Sequence, residues 1–208
     1  MAVTSELLNE YLAKGISYEA YRNLIDKLQL EGRSTAVEDN EDRIQYTSLN
    51  VKRMDRVDKK VDLLNSISLR LLGLSGQYTF LLLAESWCAD ASQIVPVIAK
   101  IASNSYQINL KILLRDENLP LMDKFLSNGG RAIPKLIIID REDESVVAEW
   151  GARPEEAIKM VQDYKAEYGK IDAQFKIELQ KWYNKNKGVA IQEEILELLE
   201  EVEEKVLV

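Results

Sequence analysis

Cys88 is the residue of this chain whose type and position best suit covalent chemistry. It follows an apolar run and Trp87, and it precedes a helical pattern that begins near Ser92. A thiol at a helix N-terminus accepts backbone N–H bonds and lies at the positive end of the helix dipole, so its pKa can fall and the thiolate is favoured. Asp90 acts in the opposite direction, because a nearby negative charge disfavours the thiolate. The sign of the net pKa shift stays open at this point.

The absence of a second thiol limits what Cys88 can do. Ala91 stands where a Cys-x-x-Cys pair would place its resolving cysteine, so one chain cannot carry out dithiol chemistry. One thiol can attack a disulfide, be released from the mixed disulfide by a small thiol such as glutathione, or be oxidised to a sulfenic acid. A lone cysteine can also be a small buried apolar residue.

The rest of the composition excludes several classes of protein. The chain of 208 residues has no histidine, which excludes His/Cys zinc sites, histidine-ligated haem and Ser-His or Cys-His catalysis. We expect no cofactor and no metal. The 27 Lys and Arg residues are outnumbered by 35 Asp and Glu residues, and the formal charge of -8 disfavours nucleic acid and anionic membranes as partners. Because no signal-peptide pattern and no long apolar run is visible, we expect a cytoplasmic protein without membrane partners.

The elements that must position Cys88 follow from the apolar pattern. Residues 1–75 are predicted to be helical, with one long amphipathic helix over residues 51–71 after a polar loop at residues 31–42. From residue 76 short apolar runs alternate with helical patterns. The predicted order is β-α-β-α-β-β-α, with a helix at residues 92–102 and another at residues 119–126. This order indicates an α/β protein with a mixed sheet and helices on its faces.

Two further helices are predicted near residues 171–184 and 191–205. The second has an apolar stripe that we expect to pack on its own chain, although a homodimer seam is an open alternative. We therefore divide the chain into a helical N-terminal extension at residues 1–75, a central domain at residues 76–168, and C-terminal helices packed on the core at residues 169–208.

The central segment resembles the thioredoxin family. "AESWCADA" is similar to the family's Trp-Cys-x-x-Cys turn, Pro96 follows Cys88 at the distance of the family's helix-kinking proline, and "RAIPKLIII" resembles the segment that carries its cis-proline. "DEN" at Asp116 and "WGA" at Trp150 are weaker matches in the same order. The Trp-Cys-x-Asp-Ala turn looks like that of a single-cysteine, bacterial, thioredoxin-like branch.

The resemblance implies a thioredoxin-like fold and a set of site residues. Trp87, Asp90, Ala91, Ile133 and Pro134 would line the site, Pro134 would be cis, and the backbone of Ile133 would pair with an extended substrate. Arg131 would add a contact to a ligand carboxylate. One departure is Leu82, which stands where thioredoxins bury the aspartate that assists the second thiol.

Two hypotheses for function follow. The first is monothiol-disulfide exchange through Cys88, which forms a mixed disulfide with a low-molecular-weight thiol such as glutathione or with a protein. The alternative is a redox-inactive binding module that holds a peptide or protein partner. An iron-sulfur site shared between two chains through glutathione ranks last, because the Cys-Gly-Phe-Ser motif of monothiol glutaredoxins is absent.

Overall fold

A four-stranded mixed sheet lies at the centre of the computed structural model, which describes residues 4–206. The strands are β1 (Tyr78–Ala84), β2 (Ile108–Leu114), β3 (Lys135–Asp140) and β4 (Val146–Gly151), in the order β2-β1-β3-β4. β1 runs parallel to β2 and antiparallel to β3, and β3 and β4 form an antiparallel hairpin. The predicted α/β fold, with a mixed sheet and flanking helices, is confirmed.

Nine α-helices surround this sheet in the described residues. They are α1 (Ser5–Lys14), α2 (Tyr18–Leu30), α3 (Glu41–Lys60), α4 (Asn65–Leu72), α5 (Ala91–Ser103), α6 (Leu119–Met122), α7 (Glu155–Tyr168), α8 (Ala173–Asn186) and α9 (Val189–Val206). A short 3-10 helix, Arg115–Glu117, follows β2, and α6 is shorter than the helix predicted at residues 119–126. None of the helices within residues 4–206 is long and apolar enough to cross a bilayer.

The prediction of a single long helix over residues 51–71 is wrong, because the helix is interrupted between the end of α3 at Lys60 and the start of α4 at Asn65. Val61 leaves the helix in an extended conformation, with φ of -102° and ψ of 119°. The side chain of Gln192 on α9 accepts a hydrogen bond from the Leu64 N–H at 2.9 Å and donates one to the Asp62 carbonyl at 3.2 Å. A distant side chain thus satisfies the backbone groups that a continuous helix would have paired internally.

The strands bury apolar side chains on both faces of the sheet. Successive residues of β1 alternate between the faces, so Phe80 and Leu82 join one apolar cluster and Leu81 and Leu83 join the other. The first cluster also contains residues of α2, α3, α4, α5, α7, α8 and α9. Both terminal segments therefore share a core with the central strand.

The outer edge of β2 is partly covered by the linker between α1 and α2. Ile16 and Ile112 exchange two backbone hydrogen bonds, of 2.9 and 2.8 Å. The linker reaches the strand because residue 15 is glycine: a Cβ there would lie 2.8 Å from the Cβ of Lys111.

Candidate functional site

Cys88 lies in the turn that joins β1 to α5, as the sequence predicts. Its N–H donates to the Glu85 carbonyl at 3.2 Å, and its own carbonyl accepts from the Ser92 N–H at 3.2 Å. The thiol donates to the carbonyl of Ile133 at 3.3 Å, and the Ala91 N–H donates to Sγ at 3.5 Å. The Ile133–Pro134 peptide bond is cis. The turn and the loop before β3 thus bring Cys88, Ala91, Ile133 and Pro134 together.

Asp90 is buried beside this thiol and has two partners. It is the residue that immediately precedes α5. Its carboxylate lies 2.5 Å from Nη2 of Arg153 and accepts a hydrogen bond from the hydroxyl of Tyr183 at 3.0 Å. Arg153, which follows β4, and Tyr183 of α8 therefore meet at Asp90, just before α5.

These surroundings raise the pKa of Cys88. Burial has the largest effect and the Asp90 carboxylate adds to it, while the N–H groups of Ala91 and Asp90 and the charge of Arg153 lower the pKa; the result is a value of about 12. The sequence left the direction of the Cys88 pKa shift open, and in the structure the pKa is raised. At neutral pH Cys88 is a protonated thiol that donates to the Ile133 carbonyl.

Glu85 forms a second buried polar group under the turn. It accepts hydrogen bonds from the hydroxyl of Thr35 and, at 2.8 Å, from the N–H of Asp116. Burial raises its pKa to about 7, although the bond from Thr35 acts in the opposite direction. Ser86 adds to the network, since its N–H donates to Oγ1 of Thr35 at 2.9 Å and its Oγ accepts from the Thr35 N–H at 3.0 Å. The loop before α3 is thereby fastened to the Cys88 turn.

Trp87 lies beside Cys88 between two arginines. The guanidinium carbons of Arg43 and Arg115 are 5.2 and 4.9 Å from the centre of its ring. Its buried Nε1 has no hydrogen-bond partner in the part of the chain that the structure describes. Cation–π contacts of this kind fix the ring at the rim of the site.

Comparison with known proteins agrees with this geometry. A family model described as Thioredoxin matches residues 36–165, which is more than half of the chain. The chain belongs to the thioredoxin family. The match begins at residue 36, ahead of the boundary predicted at residue 76.

Two solved structures share the fold of this thioredoxin-family chain. A protein of unknown function from Pseudomonas aeruginosa is 15% identical, with a TM-score of 0.60, and the match covers 92% of this chain and 96% of that one. An HIV epitope-scaffold is also 15% identical, with a TM-score of 0.61 and the same coverage. At this identity the similarity shows the fold alone. No curated protein matches the chain.

Helices outside the predicted central domain form two walls of the thioredoxin-family site. On one side, Asn50 of α3 donates to the Ser86 carbonyl at 2.7 Å, and the hydroxyls of Thr47 and Ser86 are 2.8 Å apart. On the other side, Gln180 of α8 accepts from Nε2 of Gln93 at 2.7 Å. These contacts show that helices from both terminal segments border the site.

Arg131, the predicted carboxylate contact, is exposed and bound to another residue. Its guanidinium donates to both carboxylate oxygens of Asp123, at 2.6 and 2.8 Å. Its backbone carbonyl accepts from Nη1 of Arg115 at 3.1 Å. Arg115, rather than Arg131, contacts a predicted site residue, because its guanidinium lies against the ring of Trp87.

Sequence reasoning missed Glu85, Arg153 and Tyr183. One signal existed for Arg153, because the strand that ends at Gly151 pairs with Lys135 and so brings the following residues next to Pro134. Glu85 was visible only as an acid at the end of an apolar strand, and its partner Thr35 is 50 residues away. Tyr183 is 93 residues from Asp90, and no local pattern marks it.

A cavity of about 730 Å³ lies behind the site, between α2, the loop before α3 and β2. Thr35, which binds Glu85, is part of its wall, but Cys88 is not. Within residues 4–206, no group of three or more acidic or cysteine side chains is arranged to hold a metal ion.

Proposed function

We propose that the groove beside Cys88 binds an extended segment of a protein partner without forming a covalent bond. The observation that carries this proposal is the backbone of Ile133. Its carbonyl accepts the Cys88 thiol, whereas its N–H has no hydrogen-bond partner within residues 4–206. The residue is only 6% exposed.

An N–H that has no acceptor in its own chain can pair with an acceptor of a bound chain, and native proteins pair nearly all their backbone N–H groups. The carbonyl of an extended peptide would satisfy this N–H, as in other cases where a peptide binds by strand pairing. The raised pKa of Cys88 supports a non-covalent role, because attack on a disulfide requires the thiolate. The thiol then serves as a fixed wall of the groove and as the donor that orients the Ile133 carbonyl.

A peptide selection tests this function. Heptapeptides selected from a random library on the folded protein would be measured by ¹⁵N NMR and calorimetry on the wild type and on Cys88→Ser. The serine hydroxyl can still donate to the Ile133 carbonyl, so we expect affinities within about threefold of each other. We also expect the Ile133 amide to show one of the largest shifts. Peptides that shift only distant residues, or that lose all binding with Cys88→Ser, would contradict the proposal.

Monothiol exchange is the second candidate, and two observations favour it. Cys88 is half-buried rather than fully buried, and the Ala91 N–H donates to Sγ and would stabilise a thiolate. In this reaction the Cys88 thiolate, having lost its proton to solvent, attacks one sulfur of a disulfide. The new S–S bond oxidises Cys88 while the other half of the disulfide leaves as a reduced thiolate. A second small thiol, such as glutathione, then releases Cys88 by the same exchange.

Intact mass spectrometry separates the two candidates. The protein would be exposed to glutathione disulfide at pH 7 and at pH 9.5, and the glutathione adduct would be quantified over time. The binding function predicts very slow adduct formation at pH 7. Rapid and complete formation of one adduct at pH 7, absent in Cys88→Ser, would establish exchange in its place.

A further inference from the structure

Five arginines lie around the Cys88 turn, in a chain whose formal charge is -8. They are Arg43, Arg53 and Arg56 on α3, Arg115 after β2, and Arg153 after β4. Two of them are neutralised by ion pairs, since Arg115 binds Asp116 and Arg153 binds Asp90. The three arginines of α3 have no carboxylate within 4.0 Å in the described part of the chain.

Neutral groups hold these three arginines at the site. Arg43 donates to the carbonyl of Glu38 at 2.5 Å and stacks on Trp87. Arg53 donates to Oδ1 of Asn50 at 2.8 Å. Arg56 donates to Oε1 of Gln93 on α5 at 2.6 Å. Each guanidinium has five N–H donors, so each is oriented by one neutral acceptor and keeps its charge and several donors for a ligand.

The α3 arginines are tied to the Cys88 turn through residues already described. Asn50, which accepts from Arg53, also donates to the Ser86 carbonyl. Burial has the largest effect on the Arg53 pKa and lowers it, while Tyr46 and Asp90 raise it, so Arg53 is within electrostatic reach of the carboxylate beside the thiol. Other arginines of the chain contrast with these three, since Arg22, Arg70 and Arg131 each bind carboxylates at 2.8 Å or less.

We propose that the segment bound beside Cys88 is acidic, with Asp or Glu side chains that pair with the arginines of α3. This inference rests on the proposed function, since it names the chemistry of the partner for the same groove. Arginine binds carboxylates through two parallel hydrogen bonds, which gives both orientation and charge complementarity. Side chains of an extended peptide point to the same side at every second residue. Acids at alternate positions would therefore face α3 while the backbone meets Ile133.

The first test measures the electric field at Cys88 with two alkylating reagents of nearly equal size. Iodoacetate is an anion and iodoacetamide is neutral, and both need the thiolate, so the ratio of their rates is insensitive to the thiol pKa. At pH 9.5 and low salt, we expect this ratio to exceed that of a free cysteine peptide. In the double variant Arg43→Gln, Arg53→Gln it should fall about threefold to tenfold, because two charges near the reagent are lost.

Arg141→Gln is the matched control. Arg141 is exposed next to Gln77, at the start of β1 and so at the opposite end of the strand from Cys88. The ratio should be unchanged in this variant. An equal ratio in the wild type and in the double α3 variant would overturn the inference, and so would failure of both reagents to reach Cys88 in the folded protein.

The second test uses two capped hexapeptides, Glu-Val-Glu-Val-Glu-Val and Gln-Val-Gln-Val-Gln-Val, titrated into ¹⁵N-labelled protein at low salt. We expect the acidic peptide to bind at least about tenfold more tightly, to shift the Ile133 amide, and to lose this advantage in the double α3 variant. Equal binding of both peptides would leave the proposed groove in place and overturn the acidic partner. A raised iodoacetate ratio with no binding of either peptide would indicate a small anion as ligand and would overturn both proposals.

Discussion

Asp90 adds to the effect of burial on how readily the neighbouring thiol loses its proton. Its carboxylate raises the pKa of Cys88, whereas Arg153, its ion-pair partner, lowers that pKa. The two members of one ion pair therefore have opposite effects on the thiol. Substituting Asp90 and Arg153 separately should therefore shift the Cys88 pKa in opposite directions, whereas both substitutions should destabilise the fold.

We predict that Asp90→Asn lowers the pKa of Cys88 and that Arg153→Gln raises it. The thiolate population at pH 8 should increase about tenfold for each unit by which the pKa falls, and the iodoacetamide rate about threefold, because a less basic thiolate is a weaker nucleophile. Each substitution should also lower the free energy of unfolding by about 2 kcal/mol, since each leaves one charge poorly compensated. The pH profile of alkylation and a urea titration measure both quantities. A shift of the thiol pKa in the same direction in both variants would contradict this account.

Glu85 gives a second prediction at this scale, because its pKa is raised from 4.5 to about 7 in the folded chain. The folded state then holds its proton more tightly than the unfolded state does. The associated stability is fully present below about pH 4.5 and is lost as the pH rises through about 7. Glu85→Gln keeps an acceptor for the Asp116 N–H and carries no charge. It should be more stable than the wild type at pH 8.5 by roughly 2 to 3 kcal/mol.

Urea titrations of both proteins at pH 5, 7 and 8.5 measure this difference. The gap between Glu85→Gln and the wild type should grow with pH over that range. Parallel stability curves at the three pH values would show that Glu85 does not titrate in this window.

At the next scale, the junctions between helices limit which residues the chain tolerates, and Gly188 between α8 and α9 is one tightly packed example. Its φ is +76°, and an added Cβ would lie 2.8 and 3.2 Å from the two methyl carbons of Val97 on α5. Gly169, at the end of α7, has a similar φ of +79° but nothing within 4 Å of such a Cβ. The two glycines share a positive φ and differ in packing.

We predict that Gly188→Ala destabilises the protein more than Gly169→Ala does. The positive φ costs an alanine about 1 to 2 kcal/mol in each variant. Overpacking against Val97 should add about 1 to 3 kcal/mol at position 188. Chemical denaturation gives both values, and equal losses would mean that α9 moves away from α5 without a significant penalty.

The whole molecule should unfold as one cooperative unit, in spite of the sequence-based division into a central domain and two terminal extensions. Phe175, Leu179 and Ile195 of the C-terminal helices share an apolar cluster with Phe80 and Leu82 of β1. Because this core has contributions from both ends of the chain, no described part is expected to stay folded when the rest unfolds.

Three variants that each keep one tryptophan test this expectation. Trp87 reports on the Cys88 turn, Trp150 on β4 and Trp182 on α8. We predict the same urea midpoint for all three fluorescence signals and for far-UV circular dichroism, after correction for each variant's own stability. An earlier transition of Trp182 alone would identify the C-terminal helices as a separate unit.

The sequence was sufficient for the features that depend on local pattern. The β-α-β-α-β-β-α order, the turn that carries Cys88 and its place before α5 all follow from apolar periodicity and short motifs. The break between α3 and α4 does not, because Gln192, which stabilises it, is 128 residues from Leu64. For the same reason the walls of the site, formed by Arg153, Tyr183 and the α3 arginines, became visible only when distant segments were placed side by side.

The contact between Ile16 and Ile112 has a consequence for how copies of this protein meet one another. β2 is one of the two edges of the sheet, and an uncovered edge strand offers its free N–H and C=O groups to any other chain with an exposed edge. Two backbone bonds from a short linker occupy these groups at the middle of β2, and Gly15 allows the linker to come close enough to form them. The linker between α1 and α2 therefore blocks pairing of this part of β2 with the sheet edge of another copy.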